Sequence, residues 1–252
     1  MNGGVPSAGS CECIEQKPQE FLTRAYYRGD AQRMKAAVDY RTRNYGKFPG
    51  FGESADNPHT PEHYSADTTF MGLPVRLNRR IIPALKCVER AIRENCSGPC
   101  KPDPRFPKDC TLPFKRHPYQ PQRLSGLRMK NSFKGGQVSN HVYGIAIDLD
   151  PSLNTCCGCT AAWRENPLCK RADLTTPSQR MVMPGCWVRQ FEKYGWFWLG
   201  DDRLQDTMHF AFLGDPARVE SGASGCAARK SGPWLLAAGI LAVLWVTSRE
   251  NN

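Results

Sequence analysis

The chain has 252 residues, of which 40% are hydrophobic and 23% charged, and 34 Lys and Arg against 24 Asp and Glu leave a net charge of +10. That length buries a core without staples, and the composition excludes a wholly disordered chain, a collagen and a multi-span membrane protein. The positive surplus favours polyanionic surroundings, whether nucleic acid, anionic lipid or an acidic cell-wall polymer, without choosing among them.

Residues 1–20 are rich in Gly, Ser and Glu and read as a disordered leader. They contain no basic segment followed by an apolar run and a small-residue cleavage site, so no signal peptide is expected there. Residues 21–64 read as an N-terminal helical extension. Within it, 30–45 has Asp30 as a possible cap and apolar Met34, Ala37, Val38 and Tyr40 at helical spacing. Gly46 to Glu62 reads as a loop. A second helix is expected over 77–95, with Asn78 as cap, Pro83 early, and Ile82, Leu85, Val88, Ala91 and Ile92 on one face. Cys96 to Gln122 is Pro-rich and irregular.

Twelve cysteines fall in groups: Cys11 and Cys13; Cys87, Cys96, Cys100 and Cys110; Cys156, Cys157, Cys159, Cys169 and Cys186; and Cys226. An even, grouped set favours disulfides in an oxidising compartment. The rival is a cysteine zinc site, but none of the groups has the paired spacing of a zinc ribbon.

Two segments carry chemistry. From Ile145 the chain alternates, with Ile145, Ile147 and Leu149 on one face and Ala146, Asp148 and Asp150 on the other. His141 precedes this strand, and Gly144 lets the chain turn between them. In the second segment Met208, Phe210 and Phe212 alternate onto an apolar face, which turns His209 to the other side, with Asp206 just before the strand. Two His and one Asp supply three N/O ligands and leave a fourth zinc position for water. Zinc lowers the pKa of that water, and a non-ligating carboxylate beside it takes the proton. Each residue alone has an ordinary structural reading; their placement on the polar faces of two apolar-backed strands does not.

The stretches SNHVYGIAIDLD and DTMHFAF, with GWFW between them, resemble the signatures of the zinc D-alanyl-D-alanine carboxypeptidase and L-alanyl-D-glutamate endopeptidase family, which includes VanY-type enzymes. The likeness runs from about Thr69 to Pro216. It implies one Zn2+ per chain, held by His141, Asp148 and His209, with Asp206 as general base and later general acid. Arg128 takes the place of an arginine that steadies the scissile carbonyl, against a reading of it as part of a solvated basic loop with Lys130 and Lys134. Ser139 is implied near the metal, contacting substrate or holding the His141 loop, and Trp196 and Trp198 pack the core or the cleft wall. The fold implied is α+β, a small antiparallel sheet with flanking helices, as in the hedgehog signalling domain and the D,D-peptidases. Three features depart from the pattern. Ala211 stands where the family has Glu after His-Phe, Leu199-Gly200 replaces Gly-Gly, and a cysteine-rich insert at 156–186 follows the Asp148 strand, where it would form a stiff rim.

The peptidase domain is therefore set at 65–216, followed by a linker at 217–232. Pro233 to Thr247 is uncharged and apolar all round, with Trp234 and Trp245 near its ends, and reads as a single membrane anchor. As a helix it spans about 22 Å, short of the ~30 Å hydrocarbon core, which flanking Arg229, Lys230 and Arg249 offset by snorkelling. The flanking charge favours a cytoplasmic domain, whereas the cysteines favour an extracytoplasmic one. The expected partners are a peptidoglycan stem peptide and a membrane, with a monomeric chain. Two activities fit: removal of terminal D-Ala, or cleavage of the L-Ala–D-Glu bond. The alternative is a non-catalytic zinc-bearing binding module of the same fold. A nucleic-acid binder has only the charge in its favour, since no helix-turn-helix, zinc-finger or RNP pattern is present.

Overall fold

A computed structural model describes residues 11, 13, 14, 16, 31–52, 56–98, 103–106, 109–110, 119–131 and 138–221. The expected anchor and most of the expected linker lie outside them, as do Asp30, Cys226 and Lys134. Among the described residues no helix is long and apolar enough to cross a membrane.

Helix α1 (Ala31–Tyr45) forms where the apolar spacing predicts it. A hairpin follows, β1 (Ser65–Phe70) and β2 (Leu73–Asn78), turning at Met71-Gly72, both with positive φ. This hairpin corrects the start of the second helix. Leu77 and Asn78 belong to β2, Arg79–Ile81 is a 3-10 turn, and the α-helix proper, α2, runs Ile82–Asn95. The apolar spacing of Leu77, Ile81 and Ile82 runs on into the helix, which hides the boundary. Asn78 does cap, accepting from the Arg80 N–H, and Pro83 sits in the first turn of α2.

The main sheet is antiparallel, in the order β3 (Leu124–Ser125), β4 (Ala146–Leu149), β6 (His209–Phe212), β5 (Trp196–Trp198). Ile147 pairs with Phe210 and Trp198 with Phe210, so the apolar side chains share one face. After two single-turn helices, α3 (Ala161–Arg164) and α4 (Pro167–Lys170), helix α5 (Gly185–Lys193) packs over that face and against α2; Phe191 of α5 stacks on Phe210 at 3.9 Å between ring centroids. Trp196 and Trp198 are buried core residues, and the Trp198 indole donates to the Thr207 carbonyl.

Disulfides join Cys11 to Cys87, Cys96 to Cys186, Cys156 to Cys159 and Cys157 to Cys169; Cys13 and Cys110 are also disulfide-bonded. The segment read as a loose leader is thus tied to the domain at the residues described. Cys11 is bonded to α2, and the Ile14 N–H donates to the Lys193 carbonyl. The insert is smaller than its cysteines suggested: Cys186 belongs to α5 and braces α2, leaving the two local bridges within 156–169.

Candidate metal centre

The centre grows out of strand register. Asp148 and His209 are directly paired across β4 and β6, so both side chains stand on the face opposite the aromatic core. His141 arrives from a 3-10 turn, Asn140–Tyr143, ended by Gly144 in the left-handed conformation with φ 66°. Its imidazole reaches the same point. His141 Nε2 lies 3.2 Å from His209 Nδ1 and 3.1 Å from an Asp148 carboxylate oxygen, and the other Asp148 oxygen lies 2.8 Å from His209 Nδ1. Four-coordinate zinc bonds of ~2.05 Å place neighbouring ligand atoms about 3.3 Å apart, close to this spacing. The donor set, two imidazole nitrogens and a carboxylate, therefore fits a tetrahedral divalent ion, and the three residues form a group able to hold one. Only 7% of Asp148 and of His209 is exposed and none of His141, so the group is almost closed off from solvent.

The residues behind the ligands orient them. His141 Nδ1 meets the Gly126 carbonyl at 2.7 Å, which it can approach only as the N–H donor, and Nε2 is thereby left as the lone-pair nitrogen facing Asp148 and His209. Gly126 itself is required by close approach. A Cβ there would collide with the Arg76 carbonyl and the Val75 side chain of β2, while the next residue, Leu127, donates to that same carbonyl. The Asp148 carboxyl is held far below the ordinary carboxylate range. Burial opposes this, but the His141 and His209 imidazoles outweigh it.

Asp206 sits apart on a loop before β6. One carboxylate oxygen, Oδ1, is buried with no hydrogen-bond partner. Its carboxyl is raised to about 7, chiefly by burial and further by the charge of Asp148, with His209, Arg128 and the Met208 N–H opposing. A buried carboxylate oxygen without a partner is costly in a merely structural role. The loop is strapped to the insert: Thr207 donates through both N–H and Oγ1 to the Thr155 carbonyl, the Gly158 N–H donates to Leu204, and Cys156 pairs with Asp206 across an antiparallel bridge. Cys156, Cys159 and Asp206 form a second group of metal-ligating types, but its two sulfurs are bonded to each other.

The other expected site residues divide. The Arg128 side chain is exposed on the rim, its N–H donates to the His141 carbonyl, and its charge is felt at Asp206. Ser139 is buried, and its Oγ accepts from the His141 N–H as the cap of the turn. Asp150, expected beside Asp148 on the cleft face, instead leaves the strand at φ 44°. Its carboxylate accepts from Tyr119 Oη and from the Gln122 and Arg123 N–H groups, anchoring the segment that leads through β3 to Gly126. Asn154 knits the insert to the core, donating to the Leu149 carbonyl and accepting from the Val182 and Met183 N–H groups. Ala211 pairs with Ala146 and is fully buried among Ala37, Leu199 and Leu213.

Gly126 escapes sequence reading: the only signal, one glycine in a basic loop, does not tell a turn from a close approach.

With this geometry in hand, residues 134–212 match the family model described as D-alanyl-D-alanine carboxypeptidase. The matched stretch holds His141, Asp148, Asp206 and His209 and leaves out Arg128 and helix α1. Neither the curated proteins nor the solved structures give a match. Over that stretch, which carries the candidate metal ligands, the chain is thus similar to the D-alanyl-D-alanine carboxypeptidase family.

Proposed function

We propose that this chain is a zinc peptidase of peptidoglycan stem peptides, removing terminal D-Ala or cutting the L-Ala–D-Glu bond. The observation that carries the reading is the convergence of His141 Nε2, Asp148 and His209 Nδ1, with Asp206, whose Oδ1 has no partner, in electrostatic reach of Asp148 and His209. Zinc held by those three residues supplies an acidified water and a Lewis acid for the scissile carbonyl.

The remaining work falls to the chain's own groups. Asp206 Oδ1, which has no hydrogen-bond partner within the chain, accepts a proton from the attacking water and returns it to the leaving amine. Arg128, on the rim, offers a guanidinium to the carbonyl oxygen as negative charge gathers there. Burial of the triad keeps competing water out. The net charge of +10 draws the protein to an anionic wall, and the disulfides suit a compartment outside the cytoplasm. The reading extends to a membrane anchor over 233–247.

The test is incubation of the full-length oxidised protein with purified peptidoglycan, with and without a chelator, and mass spectrometry of the products. Chelator-sensitive release of D-Ala identifies the carboxypeptidase, and new D-Glu amino termini the endopeptidase. Intact peptidoglycan after treatment with folded, zinc-loaded protein overturns the hydrolase reading and leaves the binding module.

A further inference from the structure

Helix α1 lies outside the matched stretch, yet it covers one end of the metal face. Ala146 and Ala211 form the next pair on the face that carries Asp148 and His209, and Ala37 of α1 packs against Ala211 with both fully buried. One turn further along the helix is Arg41, 0% exposed. Burying a guanidinium is expensive unless its donors are used. Arg41 Nε donates back to the Ala37 carbonyl at 3.1 Å, while Nη1 donates to the Val138 carbonyl at 2.8 Å and to Asn140 Oδ1 at 2.6 Å. The guanidinium also lies over the Tyr143 ring, 5.1 Å from its centroid.

Val138, Asn140 and Tyr143 all belong to the segment that carries His141. That segment is therefore gripped from two sides. The Gly126 carbonyl holds the imidazole, and Arg41 holds the backbone on which the imidazole stands. An apolar residue would fill the same volume without the desolvation that pushes this guanidinium down to about 10. What it would not supply is a charged donor, Nη1, joining two acceptors two residues apart on either side of Ser139.

We propose that Arg41 is a positioning residue for the candidate metal centre, holding the Asn140–Tyr143 turn so that His141 presents Nε2 to Asp148 and His209. The inference rests on the zinc reading of those three residues. It makes α1 a working part of the centre.

The test uses the full-length protein and the metals alone. Zinc affinity is measured by competition with a chromophoric chelator at a temperature where every metal-free variant is folded, and the Co(II) absorption spectrum reports ligand geometry. Arg41→Met is expected to weaken zinc about 10-fold, as loss of an outer-shell partner does, and to shift the Co(II) bands. Arg41→Lys recovers part of the loss. Val88→Ala, a core truncation in α2, lowers thermal stability but leaves zinc affinity unchanged. Wild-type affinity and an unaltered Co(II) spectrum in Arg41→Met overturn the proposal, whatever happens to its melting temperature. Should Arg41→Met not fold, Asn140→Ala removes one acceptor only; weaker zinc binding supports the grip and unchanged binding overturns it. A wild-type protein that binds no zinc defeats the metal reading itself, a result distinct from failure of the Arg41 proposal alone.

Discussion

Asp148 and His209 stand across from each other on paired strands, whereas Asp206, three residues before His209, rides a loop held by a disulfide-linked insert. The ligands inherit their positions from sheet register, which the aromatic core of Phe210, Trp198 and Phe191 locks from the opposite face. Asp206, the proposed base, inherits its position from Thr155, Gly158 and the Cys156–Cys159 bridge. A shift of strand register would move every core side chain to the wrong face. A shift of the loop would cost only a few hydrogen bonds. On the proposed reading, metal binding and proton transfer are therefore separable, one tied to the core and the other to a crosslinked appendage.

The largest effect should come from the register side. His209→Ala removes one of three ligands, and stoichiometric zinc binding should vanish along with hydrolysis, as read by metal analysis of the purified protein. Asp206→Asn should do the opposite: zinc stays bound with nearly unchanged affinity, while hydrolysis falls about 10²–10⁴-fold. Loss of metal together with activity in this variant would merge the two regions into one. Next comes Cys156→Ser with Cys159→Ser. Freed of its bridge, the loop should lose kcat roughly 10-fold, as misplacement of a catalytic group does, with zinc affinity retained. Gly126→Ala sharpens the comparison from the ligand side. The added methyl meets the Arg76 carbonyl, so the His141 acceptor must move, and zinc affinity should fall about 10-fold.

The smallest effect is a pH dependence of the metal-free protein. Folding raises the Asp206 carboxyl to about 7, so the folded chain keeps a proton that the unfolded chain releases at its ordinary acidic pKa. Stability therefore falls as pH rises from about 5 to 7 and levels off above the folded pKa. The melting temperature of metal-free protein should drop across that window, and Asp206→Asn should flatten the drop. An identical slope in the variant would place the titration elsewhere.

The three residues that converge, His141, Asp148 and His209, were legible in the sequence because strand alternation converts directly into a choice of face. Asp148 and His209 each sit on the polar side of an apolar-backed run, and Gly144 marks the turn that lets His141 join them. Asp150 shows where that rule ends: alternation puts it in the cleft, but its positive φ takes it out of the strand and its carboxylate goes to Tyr119 and the Gln122–Arg123 backbone. The β1–β2 hairpin was hidden because its apolar residues run on into helical spacing.

The sequence by itself determined the residue types of the centre, the two faces of its strands and the presence of disulfide-forming cysteine groups. Those features are local, set by side-chain chemistry and a period of two. Only the tertiary structure decided which groups support them. The Gly126 carbonyl lies 15 residues from His141, Arg41 lies 97 and 99 residues from its acceptors Val138 and Asn140, and Ala211 is closed over by a helix from the other end of the domain. Contacts of that separation leave no periodic trace in the chain, because they form only where packing brings distant backbone together.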